Sequence, residues 1–452
     1  MRRLGVLGLV ASCGFRLGPA TSERDADVGG DIADAGDIDA AINPCEAPPT
    51  WADGRVPAST LHVDATAIGT QDGSPTHPFL TLGQAVAVAT PGTRIVLAAG
   101  SYTPETLNDV RGTAVAPIWI EGPVTPPRAI FTGTTSLHLV KPQYVVMQHL
   151  AFTGFTGSAI NLDDGGDRLN PVAHHVVISD VHVTNAGASA FQITGVTDVA
   201  IADSSATDVA RAVQLIGVQR AIVARLAVTR ATFAAIHTAG GSSDVEIRDS
   251  RFEGSTGRVF WIGGSSTENE FRPVLAPTGN AEASNIRIFN NVIHDGTAAF
   301  TCSVCTNVLV AGNYIHGDLF THIFRFVQEH GTINGKQFVV AGGLRAIDNA
   351  TEISGNAVGV RMESATDCSA CVFDHNLWFR VDDPTDSTPT FPVPETGGIY
   401  GVRSGYTPQG ELCTGGAAIG AGALVPGVLG TIEGTCRPAP PSIGPNEPDG
   451  GC

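Results

Sequence analysis

Ile286-Arg287-Ile288-Phe289-Asn290-Asn291-Val292-Ile293 and, 22 residues further on, Val308-Leu309-Val310-Ala311-Gly312-Asn313-Tyr314-Ile315 are one phrase written twice. An apolar-x-apolar strand leads into a polar step holding Asn, and a second short strand follows. The phrase can be traced through Met147, Ile178, Ile201, Val223, Ile247, Ile288, Val310, Ile353 and Phe373, taking one equivalent apolar position from each copy. The steps to Ile288 and to Ile353 are about twice the usual length, which places an inserted loop in each. Period-2 alternation within a repeat of this size is too short for a propeller blade and lacks a leucine-rich consensus. It fits one turn of a parallel β-helix, each turn burying its apolar side only by stacking on the next. Asn291, Asn313, Asn356 and Asn376 fall at one equivalent position and are expected to stack as an internal ladder, each amide bonding to the next rung.

Composition agrees. Of the 452 residues 42% are hydrophobic, 15% are charged and 54 are Gly, which is too apolar for a disordered chain and too rich in glycine for a helical one. The net charge of −18 excludes a nucleic-acid surface, because no basic stretch is present to displace phosphate counterions. Lys141 and Lys336 are the only lysines, so nearly every cation is an arginine.

Arg2 and Arg3 precede a short apolar run ending in Val10-Ala11-Ser12-Cys13, the pattern of a bacterial lipoprotein signal with Cys13 as the lipidated residue. Residues 1–13 are thus expected to be a signal, and 14–59 an acidic, disordered tether. The β-helix domain would run from 60 to 436, and a Pro-rich tail from 437 to 452. The folded part would then sit outside the cytoplasm, anchored to the envelope by lipid or secreted, and act as a monomer. Eight cysteines besides Cys13 favour disulfides in such a compartment, although Cys302-x-x-Cys305 and Cys368-x-x-Cys371 also have the spacing of a four-thiolate zinc site.

Asp72-Gly73-Ser74-Pro75-Thr76-His77-Pro78-Phe79 leads into Leu82, Ala85, Val86 and Ala89, spaced for one helix face and ended by Pro91-Gly92. A helix there would block the open edge of the first rung. Together with the Asn-bearing rungs, this stretch resembles the right-handed parallel β-helix proteins of the pectate-lyase-like superfamily, over about residues 60–425. The resemblance implies an all-β, right-handed single-stranded parallel β-helix of about 11 rungs with an N-terminal capping helix. It also implies polysaccharide binding along one sheet.

A third strand in each turn sends Ile160, Phe191, Val213, Ile236, Phe260, Phe300 and Phe324 inward. Asn161, Gln192, Gln214, His237, Trp261, Thr301 and Arg325 then point outward. Insertions at 163–174, 263–285 and 327–350 all leave from the end of this strand, where loops on a rigid scaffold usually build sites. Substrate contacts are expected from Asn161, Gln192, Gln214, Trp261, Glu329 and His330. A second outward column holds Glu253, His294 and His316, with Asp295 and Asp318 close by.

Of the superfamily's polygalacturonase motifs only Asp163-Asp164 is matched, and pectin-methylesterase signatures are absent. A lyase needs a base for the C5 proton and a cation to neutralise the uronate. By resemblance the base would be Arg325 or Lys336, with His237 as the alternative, and Asp163, Asp164 and Asp167 would hold Ca²⁺. Two readings follow. One is a tethered protein that binds polysaccharide and cleaves it by β-elimination; the other is a non-catalytic structural or adhesive surface lipoprotein.

Overall fold

The computed structural model describes residues 45–448 except 47, 49, 170, 171, 265 and 356. Cys13, the signal and most of the expected tether lie outside the described residues, as does Asn356. The described chain winds as a right-handed parallel β-helix with three sheets along its sides. Inward positions of the second sheet pair rung to rung as Leu61, Ile95, Ile120, Met147, Ile178, Ile201 and Val223. They continue as Ile247, Ile288, Val310, Ala346 and Phe373.

One register expectation fails. Ala346, not Ile353, aligns with Val310, because the insertion after Val327 ends at Gly343 and the new rung opens with Leu344–Ile347. The ladder residue of that rung is therefore Asn349 rather than Asn356. Asn291 donates to Asn313 Oδ1 at 3.0 Å, Asn313 to Asn349 Oδ1 at 2.9 Å, and Asn349 to Asn376 Oδ1 at 2.9 Å. Ser204 and Ser250 continue the line upstream, each hydroxyl accepting from a backbone N–H of the rung before. Buried backbone groups at this bend are thus paired by side chains, and none of the four amides is left to bear an unpaired desolvation cost.

Bends recur at five-residue spacing, each with a residue in the left-handed region. Asp198, Asp203 and Asp208 have φ of 58°, 51° and 56°, and the next rung places Arg220, Arg225 and Arg230 there with φ of 58°, 52° and 58°. This conformation suits Asp and Asn, whose side chains bond locally, and strains an arginine. Each Arg forks onto the Asp one rung above, with Nε to Oδ1 at 2.6 Å in all three pairs.

Helix α1 (Leu82–Val88) caps the first rung as expected. Thr81 and Gln84 form a reciprocal capping box, and Leu82 and Ala85 are buried on the core. Inside the coil, Phe260, Phe300 and Phe324 stack with centroids 5.2 Å apart at both steps. Such pairs add about 0.5–1.5 kcal/mol each beyond area burial.

Two sheets are then covered by the ends of the chain. Trp51 lies on Trp119, Val146 and Val177 of the second sheet, and Val425 and Val428 cover Phe289, Leu309 and Ile347 further along it. Tyr406, Leu412 and Ile443 pack on Val292, Tyr314 and Leu377 of the third. The segment from 437 to 448 is accordingly folded onto the coil, with Ser442 and Ile443 buried and Arg437 bonded to Asn290. A disulfide from Cys45 to Cys436 joins the two covering segments. Cys302–Cys305 and Cys368–Cys371 each close on themselves, so the two motifs do not pool four thiolates for zinc. Among the described residues, no helix is long and apolar enough to cross a membrane.

Candidate functional site

The first sheet carries the expected outward column in unbroken register. Asn161 pairs with Gln192, then Gln214, His237, Trp261, Thr301 and Arg325 follow. His138 extends the column above and Arg361 below. Alternation decides this: the inward partners are the buried Ile160, Phe191, Val213, Ile236, Phe260, Phe300 and Phe324, so the residue after each must face out.

The column is not uniformly open. Ser158 and Ser189 hydroxyls hold the Gln192 and Gln214 side chains. His237 is 7% exposed, stacked on Trp261 at 4.2 Å, with Nε2 3.2 Å from the Gly263 carbonyl. Burial, reinforced by Arg211 and Arg258, pushes its pKa down to about 3, so the imidazole stays neutral. The bonded nitrogen Nε2 then carries the proton, and Nδ1 has no hydrogen-bond partner among the described residues. The expectation that His237 stands open as a base is corrected by the 263–282 insertion, which lies over it.

That insertion belongs to a wall formed by all three loops. Asp164 is buried and forks onto Arg272 at 2.7 and 3.1 Å, tying the first loop to the second. Lys336 and Asn334 both reach Glu268 in the second loop, at 2.9 and 2.6 Å. Phe338 packs on Phe271 and on His330. Lys336 is thus committed to the wall by an ion pair and does not share a cleft with Arg325. Asp163 faces His138 at 2.7 Å, and Asp167 caps its own turn through the Leu169 N–H. The three aspartates therefore do not converge, and among the described residues no group of three His, Cys, Asp or Glu could hold a metal ion. The calcium expectation for this loop does not fit its side chains.

Behind the wall, Glu282 is fully buried and accepts from Ser266 and from the Gly240 N–H. Burial raises its carboxyl to about 7. His330 Nε2 lies 3.3 Å away. Glu329 is exposed and accepts from Ser303, whose oxygen in turn accepts from the Trp261 indole.

On the other margin of the sheet, a cleft of about 240 Å³ opens between Phe233, Arg258, His322 and Arg325. Arg258 lies over Trp261 at 4.3 Å and Arg211 over Phe233 at 4.1 Å. Arg325 and Arg361 share Glu363 at 3.3 and 3.7 Å. Cations crowd here: burial and then Arg325 lower the Arg258 guanidinium, while burial, Arg325 and Arg361 hold His322 below its ordinary value. One more position read along each strand exposes the pattern, for Arg211, Arg258 and His322 share a register column two residues before the inward stack. Four arginines against Glu363 and Glu329 make this part of a strongly acidic chain locally positive, and such a cleft concentrates anions.

Among solved structures, the A-module of a mannuronan C-5 epimerase from Azotobacter vinelandii matches with a TM-score of 0.53 and 12% identity. The match covers 75% of this chain and 98% of that one. A rhamnogalacturonan lyase matches with a TM-score of 0.51 and 11% identity, over 74% and 90%. The chain shares the parallel β-helix fold of these proteins. At these identities the likeness to the superfamily is one of fold. No protein-family model matches the chain, and no curated protein matches it by sequence.

Proposed function

We propose that the protein binds an acidic polysaccharide along the first sheet, its charged groups meeting Arg258, Arg325, Arg361 and His322. The observation that carries this reading is the convergence of the three guanidiniums, with the His322 ring beside them, on a sheet face that the described ends of the chain leave uncovered. Phe233, 40% exposed under Arg211, supplies an apolar platform for a sugar ring. The similar structures, named for mannuronan and rhamnogalacturonan chemistry, support a uronate-containing ligand. Asn161, Gln192 and Gln214 would extend the contact along the column.

Cleavage by β-elimination is the second reading. It is favoured by one point: Arg325 opens to the cleft beside Arg258, so one guanidinium can pair the uronate while another group meets the C5 proton. His237 under its loop, Lys336 in its ion pair and the dispersed aspartates favour binding without turnover. We further propose an extracytoplasmic, lipid-tethered monomer, supported by the Cys13 signal pattern and by the disulfides. Titration of the whole protein with polygalacturonate and alginate tests the first reading. Binding that weakens as salt rises is expected, and equal affinity for a neutral glucan would overturn it. Absorbance near 235 nm in the same mixtures reports elimination.

A further inference from the structure

Above the part covered by the C-terminal segment, the third sheet keeps an open face, and its outward column reads Ala151, His182, Ser205, Ala227 in register. Ser205 Oγ lies 2.8 Å from His182 Nδ1, and His182 Nε2 lies 2.9 Å from Asp180 Oδ1. Asp180 is held in turn by a fork from Arg128, at 2.8 and 3.1 Å, and by His149 Nδ1 at 2.8 Å. The carboxylate therefore stays ionised, and it fixes the imidazole with its proton on Nε2, which leaves the Nδ1 lone pair for the serine hydroxyl. Nucleophile within reach of a base, and base oriented by a buttressed carboxylate, is the arrangement that activates a serine. Ala227 on the rung below keeps side-chain bulk away from Ser205, Ala151 does the same on the far side of His182, and Thr153, Thr184, Thr207 and Thr229 form a hydroxyl row beside them.

We propose that Ser205, His182 and Asp180 form a second site, separate from the first sheet, that hydrolyses a short acyl ester. Ser205 Oγ attacks the carbonyl carbon and its proton passes to His182 Nδ1. The ester C–O bond breaks, the alcohol leaves with that proton, and the acyl group stays on Ser205. Water then gives a proton to His182 and attacks the acyl carbon; the bond to Oγ breaks, Ser205 recovers the proton, and the acid departs. Ester and water are consumed, and acid and alcohol are formed.

Incubation of the full chain with a fluorophosphonate, followed by peptide mapping, tests the site. Ser205 should be the modified residue, and Ser205→Ala should abolish labelling with an unchanged melting temperature. His182→Ala should slow labelling at least tenfold, and p-nitrophenyl acetate hydrolysis should fall in parallel in both variants. Label absent from Ser205, or His182→Ala reacting as fast as the parent protein, would overturn the proposal.

Discussion

The first sheet and its two neighbours are built by the same alternation, yet the chain treats their outer faces in opposite ways. On the second sheet the outward residues include Trp119, Val146, Val177 and Leu309, and segments from both ends of the chain fold over them. On the third, Tyr406 and its neighbours cover the lower rungs. On the first sheet the outward residues are amides, imidazole, indole, hydroxyl and guanidinium, and among the described residues their cover comes from loops that rise from the sheet's own margin. An apolar outer face needs a partner to remove it from water, and here the partner is the chain itself. Among the described residues the ends of the chain leave the first sheet and the upper rungs of the third uncovered, and the outer face of the first has the chemistry that suits an outside ligand.

The comparison can be broken most severely at the clasp. Replacing Cys45 and Cys436 by Ser opens a link spanning a sequence separation of 391 and should cost about 2–5 kcal/mol, seen as a lower denaturant midpoint. Polyuronate affinity of the still-folded protein should stay unchanged, and a loss of affinity at full folding would show that the covered and open faces are not independent. Asn313→Ala strips a fully buried ladder amide that pairs with Asn291, Asn349 and two carbonyls. A loss of about 2–4 kcal/mol is expected from the unpaired groups, again without a change in ligand preference.

The open face should behave in reverse. Arg258→Ala with Arg325→Ala should weaken polyuronate binding at least tenfold and flatten its salt dependence, while the melting temperature moves by a few degrees at most. A pH effect comes from His237. Its folded pKa of about 3 lies below the ordinary 6.5, so the unfolded chain binds the proton first. Stability should therefore fall as pH drops through 6.5 towards 3. His237→Gln should remove that part of the slope, measured by melting between pH 4 and 7.

Much of the coil was legible because a repeat states its own register. Each apolar position named from the sequence recurs at the equivalent place except Ile353, and the whole first-sheet column from Asn161 to Arg325 is where alternation puts it. The slip at Ile353 has a local cause. Leu344-Arg345-Ala346-Ile347 carries the small Ala346 inward, while the step at Ile353 is more strongly apolar, so the sequence pattern points to Ile353 and Asn356 rather than to Ala346 and Asn349. Loop side chains were not legible for a different reason. Asp164 meets Arg272 across a sequence separation of 108, and Lys336 meets Glu268 across 68, contacts that no periodicity encodes. Without them the Asp163, Asp164 and Asp167 cluster reads as a cation site and Lys336 as a base, when both are fasteners. The covering segments were hidden likewise, since Trp51 and Tyr406 lie outside any repeat.

The three Asp–Arg forks between neighbouring rungs also set a rule for how this molecule can change length. Asp198, Asp203 and Asp208 lie at three bends of one turn, and their arginines lie 22 residues later at the same three bends of the next. One residue added within the turn would move an arginine off its bend and rotate the following side chains from core to solvent. Removal of the turn that carries Arg220 and Arg225 would bring Asp244 and Asp249, which are also in the left-handed region, onto the same bends and leave the inward stack continuous. Growth and shortening of the coil are thus restricted to whole turns. The outward column of the first sheet comes in the same indivisible steps, one position for each rung.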